Sequence, residues 1–244
     1  MERKTAYSTL AEWFEYLNDD CDYEKWSQYL VKTLAGFPSL TNGIDIGCGG
    51  GYFTRALYKA GYEMTGLDVS AEMLDKAQRS AFKAGTRGEY ILGDVAKDKI
   101  VGKYSFAIAI NDCFNYVPSE KLQRAFKNVY GALKKGGVFV FDVSSPKKYA
   151  EKFQGAVNVD DRDDVTYMSF ASLEGRQARL EVTLFVKDSD GRYTRQDETH
   201  VQYVHTEEEI AKTLAAAGFS VLKTEGHLGE DKAASDRLVF LAQK

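Results

Sequence analysis

From residue 43 to residue 143, short apolar runs alternate with stretches whose apolar positions recur every three or four residues. The runs "GIDIG" (43–47), "YEMTGLDV" (62–69), "GEYILGDV" (88–95), the apolar part of "KYSFAIAINDCF" (103–114) and "VFVFDV" (138–143) read as strands. Between them, "YFTRALYKAG", "SAEMLDKAQRSAFKAG" and "SEKLQRAFKNVYGALKKGG" read as helices. Ser70 and Ser119 are expected as N-caps, with Gly61 and Gly85 as stops. Apolar strands separated by amphipathic helices predict a parallel sheet covered on both faces.

The rhythm differs on both sides of this block. Residues 1–37 predict two helices, the first including Leu10, Trp13, Phe14 and Leu17 and the second Trp26, Tyr29, Leu30 and Leu34. Beyond residue 145, "DVTYMSFASL", "QARLEVTLFVKD" and "RYTRQDETHVQYVH" alternate with a period of two and predict antiparallel strands, the last two joined at "SDGR". A helix then starts at Thr206, with Glu209 completing a capping box, and two strands follow in "SVLKTEGH" and "RLVFLAQK". The expected layout is a helical cap over 1–38, an α/β core over 39–145 and 206–244, and an inserted antiparallel β lid over 146–205.

Composition narrows this only a little. The 244 residues carry a formal charge of −4 and have no basic run, which weighs against a nucleic-acid partner. No apolar run is long enough to span a bilayer, and the first residues lack the apolar core of a signal peptide. Three cysteines without close pairing (Cys21, Cys48, Cys113) are expected as reduced thiols in a cytoplasmic protein. No metal site is expected from the histidine and cysteine spacing.

The stretch "IDIGCGGGYF" (44–53) carries the first chemistry. Gly47 and Gly49 fit the start of a dinucleotide-binding G-x-G-x-x-G, but its third place is Tyr52; the run continues instead through Gly50 and Gly51. Asp45 stands two residues before the first glycine, where a carboxylate would repel a pyrophosphate but suits a cationic ligand without phosphate. S-adenosylmethionine (SAM), with a sulfonium and an ammonium, is such a ligand. Further acids follow at the carboxyl ends of the next strands: Asp68 for ribose hydroxyls, Asp94 for an adenine amine with Val69 and Val95 at the ring faces, then Asn111 and Asp112. Met73, early in the following helix, completes the expected cofactor set.

With "IDIGCGGG", "GLDVS", "GDV", "INDCFNYV" and "LKKGGVFVFDV" in this order, the chain resembles the class I SAM-dependent methyltransferases over roughly residues 40–145 and, more loosely, 206–244. The resemblance implies a Rossmann-like seven-stranded sheet, mostly parallel with one antiparallel strand. It implies Asp45, Gly47, Cys48 and Gly49 around the methionine part, Asp68 on ribose, Asp94 and Val95 at adenine, and Asn111 near the methionyl end. "CDYEKW" and the β insertion are similar to a bacterial small-molecule subgroup related to glycine and amino-sugar N-methyltransferases. A small N or O nucleophile is then the expected acceptor, with Tyr116, Tyr23, Trp26 and His200 as substrate-side candidates and no catalytic base identified. His205 competes with His200, since the two fall on opposite faces of one expected strand. The competing readings are an NAD-dependent oxidoreductase and a non-catalytic SAM-binding protein. Oligomeric state is left at monomer or homodimer.

Overall fold

The computed structural model describes residues 4–244. Its larger sheet has seven strands: β2 (Asn42–Ile46), β3 (Glu63–Asp68), β4 (Glu89–Leu92), β5 (Tyr104–Ala109), β6 (Leu133–Ser144), β11 (Ser220–Glu225) and β12 (Arg237–Gln243). They lie in the order β11-β12-β6-β5-β2-β3-β4. β2 to β6 pair in parallel, and β12 inserts antiparallel between β6 and β11. This is the expected class I methyltransferase sheet.

Side-chain alternation along the central strands divides the core. Ala107 and Ala109 of β5 join Ile44, Ile46, Phe139 and Phe141 on one face, against helices α5 (Ser119–Ala132) and α7 (Glu207–Ala217). Phe106 and Ile108 join Val138 and Val140 on the other, against α2 (Tyr23–Ala35) and α3 (Tyr52–Lys59). Burial of both faces explains why these strands are continuous apolar runs in the sequence. Helix α4 (Ala71–Lys83) is capped as expected, the Ser70 hydroxyl accepting from the Met73 N–H at 3.1 Å. At α7 the Thr206–Glu209 capping box forms in both directions.

The second sheet has the order β1-β10-β9-β8-β7, from Lys4–Thr5, Tyr193–Tyr203, Gln177–Lys187, Val165–Glu174 and Val157–Asp161. β7 to β10 are antiparallel, whereas β1 comes from the start of the chain and pairs with β10 in parallel, Lys4 opposite Glu198. Val165, Val182 and Leu184 pack beneath it with Leu10.

Four expectations change. The first N-terminal helix is broken into short pieces, Leu10–Glu12, α1 (Phe14–Leu17) and Asp19–Cys21, and Asp22 at φ 54° separates them from α2. The acid-rich link favours turns over helix. Ser119 is inside α5 rather than its cap, a place taken by Pro118, whose fixed φ suits a helix start. "LKKGG" belongs to β6, not to the end of α5. Between β6 and β7 the chain forms α6 (Pro146–Lys148) and a π-helical turn over Tyr149–Phe153, which no periodicity announced. Among the described residues no helix is long and apolar enough to cross a membrane.

Candidate active site

A cavity of about 420 Å³ opens at the carboxyl ends of β2 to β5, where ligands bind in open α/β sheets. Its base is the loop from β2 to α3. The Gly47 and Cys48 N–H groups donate to the Leu67 carbonyl at 2.7 and 3.1 Å, tying the loop to β3. Gly47 has φ +68°, and a Cβ there would lie 2.4 Å from the Cys113 sulfur, so only glycine fits. Gly51, at φ +78°, starts α3 and packs against Ala77 and Tyr90, not against the cavity.

Asp68 ends β3 with its carboxylate in the cavity wall. One oxygen accepts from the Gly49 N–H at 2.8 Å and the other from the Ser70 N–H at 2.9 Å. Burial raises its pKa above the ordinary carboxylate range, against the pull of these donors. Asp94 follows β4; its carboxylate accepts from the Ala96 N–H at 2.8 Å and pairs with Lys97 at 2.9 Å. Val69, Met73, Val95, Cys48 and Asn111 also line the cavity. Tyr23, from the start of α2, lines it too and packs on Tyr52 with ring centroids 4.5 Å apart.

Besides Gly51, four of the expected site residues are placed elsewhere. Asp45 lies beneath the loop, 2% exposed, and accepts from the Thr54 hydroxyl of α3 at 2.6 Å. Burial pushes its pKa up to about 7, opposed by Thr54. Trp26 is fully buried among Leu30, Leu34, Phe53 and Leu57, a core residue and not a wall of the cavity. Asp112 is held away in an ion cluster: its carboxylate meets Arg237 at 3.1 Å and accepts from the Gln202 amide at 2.6 Å. Arg237 also pairs with Asp142, which in turn accepts from the Asp112 N–H at 3.1 Å. Burial works against Asp112's charge, but Arg237, Lys148 and Gln202 outweigh it and hold the pKa below the ordinary range. Both Asn111 (φ 64°) and Asp112 (φ 49°) adopt the left-handed region, an uncommon pair at the edge of the cavity. The Asn111 side-chain carbonyl accepts from the Cys21 thiol at 3.1 Å.

His200 is the fourth. It does not line the cavity, but its Nδ1 is 3.1 Å from the hydroxyl of Tyr116, which does. The Tyr116 hydroxyl is also 3.0 Å from that of Tyr7, and burial raises both phenols. His205 falls past the end of β10 and is buried, its Nε2 donating to the Val117 carbonyl at 3.0 Å. Neither histidine is a surface residue. Tyr7, Phe14 and Glu15 also line the cavity; the sequence reading places their segment in the helical cap but names none of them as a site residue. No group of three or more His, Cys, Asp or Glu able to hold a metal occurs among the described residues.

The fold and this cavity define a class I SAM-dependent methyltransferase. Residues 44–137 match the methyltransferase-domain family. A Geobacillus sp. (strain WCH70) protein, whose name assigns it only to methyltransferases, is 28% identical over 98% of this chain and 100% of its own length. The dTDP-3-amino-3,6-dideoxy-α-D-glucopyranose N,N-dimethyltransferase of Streptomyces fradiae is 26% identical over 75% of this chain and 72% of its own. A solved SAM-dependent methyltransferase from Clostridium acetobutylicum ATCC 824 superposes with a TM-score of 0.88 at 26% identity, covering 98% of this chain and 99% of that one. The protein is a SAM-dependent methyltransferase, and SAM is its cofactor. The oxidoreductase and non-catalytic readings fall away.

Proposed function

We propose that the protein methylates the nitrogen of a small-molecule amine. The carrying observation is a set of aromatic rings, Tyr7, Phe14, Tyr23 and Tyr116, on the same cavity as Asn111 and the glycine loop. Ring faces attract cations, which suits both the sulfonium and the ammonium formed when a neutral amine takes the methyl group. The amino-sugar dimethyltransferase among the relatives supports the same substrate class.

The cavity's chemistry fits SAM. It offers a buried carboxylate, small backbone at the loop and apolar walls. When bound, the cofactor supplies a methyl group on a leaving sulfur that is already activated. Asp68 accepts from the ribose hydroxyls and keeps the Gly49 N–H in place. Asp94 accepts from the adenine amine, with Val69, Val95 and Met73 against the ring. Gly47, Cys48 and Gly49 give close approach around the methionine part, and Asn111 faces its end. Asp45 acts from beneath the loop, as a charge and not as a contact. Tyr116 and Tyr23 orient the acceptor nitrogen for in-line attack, while the aromatic walls exclude water. In this reading residues 1–38 cap the site, 39–145 with 206–244 form the core, and 146–205 form the lid. The enzyme works in the cytoplasm as a monomer or homodimer, without nucleic acid; the three thiols, free in the structure, suit a reducing compartment.

Calorimetry tests the cofactor side: SAM and S-adenosylhomocysteine are expected to bind and NAD to give no heat. Asp68→Ala removes a carboxylate with two backbone donors, and SAM affinity is expected to fall about 30-fold. Unchanged affinity would refute the ribose assignment. Assays of S-adenosylhomocysteine formation over glycine, sarcosine, nucleotide-linked amino sugars and hydroxy analogues test the acceptor; turnover confined to the hydroxy compounds would reject the amine.

A further inference from the structure

The segment 6–15 crosses the cavity as a strap, with Ala6, Tyr7, Phe14 and Glu15 on its inner side. Toward α3 and α4 the strap makes exposed ion pairs from Lys76 and Arg79 to Glu12, which contribute little, a more buried Arg55–Glu15 pair, and one hydrogen bond from the Ser70 hydroxyl to the Tyr7 carbonyl at 3.1 Å. The contact to the second sheet is different. Glu198 of β10 has no exposed surface, and its carboxylate accepts from the strap's backbone at Tyr7 (2.8 Å), Leu10 (2.6 Å) and Thr9, and from the Thr9 hydroxyl. His200 Nε2 lies 3.1 Å from the same carboxylate. Burial opposes its charge, but these donors prevail and hold its pKa down at about 2. The opposite edge of His200 meets Tyr116, and Tyr116 meets the strap's own Tyr7, so the contacts close a ring from the strap through the sheet and back to the strap.

We propose that Glu198 is a positioning residue that holds the strap shut over the bound cofactor and, through His200, fixes the Tyr116 phenol beside it. Retaining the cofactor and shaping the acceptor side are then one event. A carboxylate suits the donors at Tyr7, Thr9 and Leu10, whereas glutamine would turn an NH₂ group toward some of them. His200 with Nε2 protonated leaves Nδ1 to accept from Tyr116, so the charge on Glu198 sets the direction of both phenol hydrogen bonds. The proposal rests on SAM binding in this cavity, and its test separates the two.

The test measures S-adenosylhomocysteine dissociation by stopped flow and amide exchange at residues 7–10, in full-length wild type, Glu198→Gln and Thr9→Val. Glu198→Gln is expected to release the ligand about tenfold faster and to lose protection at 7–10, because charge-assisted hydrogen bonds are lost. Thr9→Val leaves the sheet untouched, and release about two- to threefold faster is expected from one lost hydroxyl bond. It decides the matter should the Gln variant not fold. Release within twofold of wild type in Glu198→Gln, or no change at all in Thr9→Val, overturns the proposal. Failure of the wild type to bind S-adenosylhomocysteine overturns the cofactor reading instead, while exchange at residues 7–10 still reports on Glu198.

Discussion

Asp45→Asn is expected to remove a pH dependence of stability that the wild type shows between about pH 4 and pH 7. The folded protein holds this carboxyl near pKa 7, whereas an unfolded chain leaves it at the ordinary aspartate value of about 3.9. Below pH 4 both states are protonated and the side chain is neutral in its buried place. As pH rises toward 7 the unfolded state ionises first, binds fewer protons and gains, so stability falls. Three pH units correspond to about 4 kcal/mol, reached in full above pH 7. The asparagine variant keeps an oxygen for the Thr54 hydroxyl and has no charge to bury. Denaturant midpoints without ligand at pH 4 and pH 8 check this. The variant should gain relative to wild type on going to pH 8, and parallel pH profiles would refute the buried charge. Carboxylates such as Glu198 and Glu209, held near 2, act in the opposite direction and at lower pH, so the difference between the two proteins isolates Asp45. SAM has the converse effect. Its positive charge favours ionised Asp45, so wild-type affinity should rise with pH through about 7 and the variant's should not.

Arg237→Met carries the second large effect. Arg237 is the cation between a buried carboxylate, Asp142, and a partly buried one, Asp112, and the Asp142 oxygen turned away from it has no hydrogen-bond partner among the described residues. Removing one side of a buried pair costs about 3–5 kcal/mol, because the remaining charges lose their compensation. For a chain of this size that corresponds to a melting temperature lower by roughly 10 °C. Addition of Asp142→Asn should recover part of the loss, since it removes one stranded charge. A melting temperature within 2 °C of wild type would show that the cluster contributes nothing. The Asn111–Asp112 turn is held left-handed by the same contacts, so weaker SAM binding should accompany the loss of stability.

The parallel sheet was legible because burial on both faces writes apolar runs that hardly any other structure produces. The glycine loop was legible from Gly47, Gly49 and Gly51, all of which take positive φ. What was not legible is direction. Asp45 sits between Ile44 and Ile46, and the two-residue period of the strand sends its carboxylate toward α3 and Thr54 while the isoleucines face the opposite layer. Trp26 shares its helical stripe with Leu30 and Leu34, a pattern identical for core and pocket. Glu198 and His200 depend on a partner segment 190 residues away, which no local pattern contains. Tyr7 escaped because the first segment was read by helical spacing, whereas Tyr7, Leu10, Trp13, Phe14 and Leu17 are placed by packing with Val165, Val182 and Leu184 of the second sheet.

The parallel pairing of β1 with β10 bears on how the protein is made. Lys4 and Thr5 are synthesised well before their strand partners, Glu198 and Thr199. At cellular translation rates that interval is on the order of ten seconds or more. Throughout it the strap has no edge to pair with and no Glu198 to receive its amides, while the glycine loop and β3 can already assemble. Closure of the cavity is therefore a late step of synthesis, and a ribosome stalled before residue 198 would display a nascent cofactor pocket without its roof.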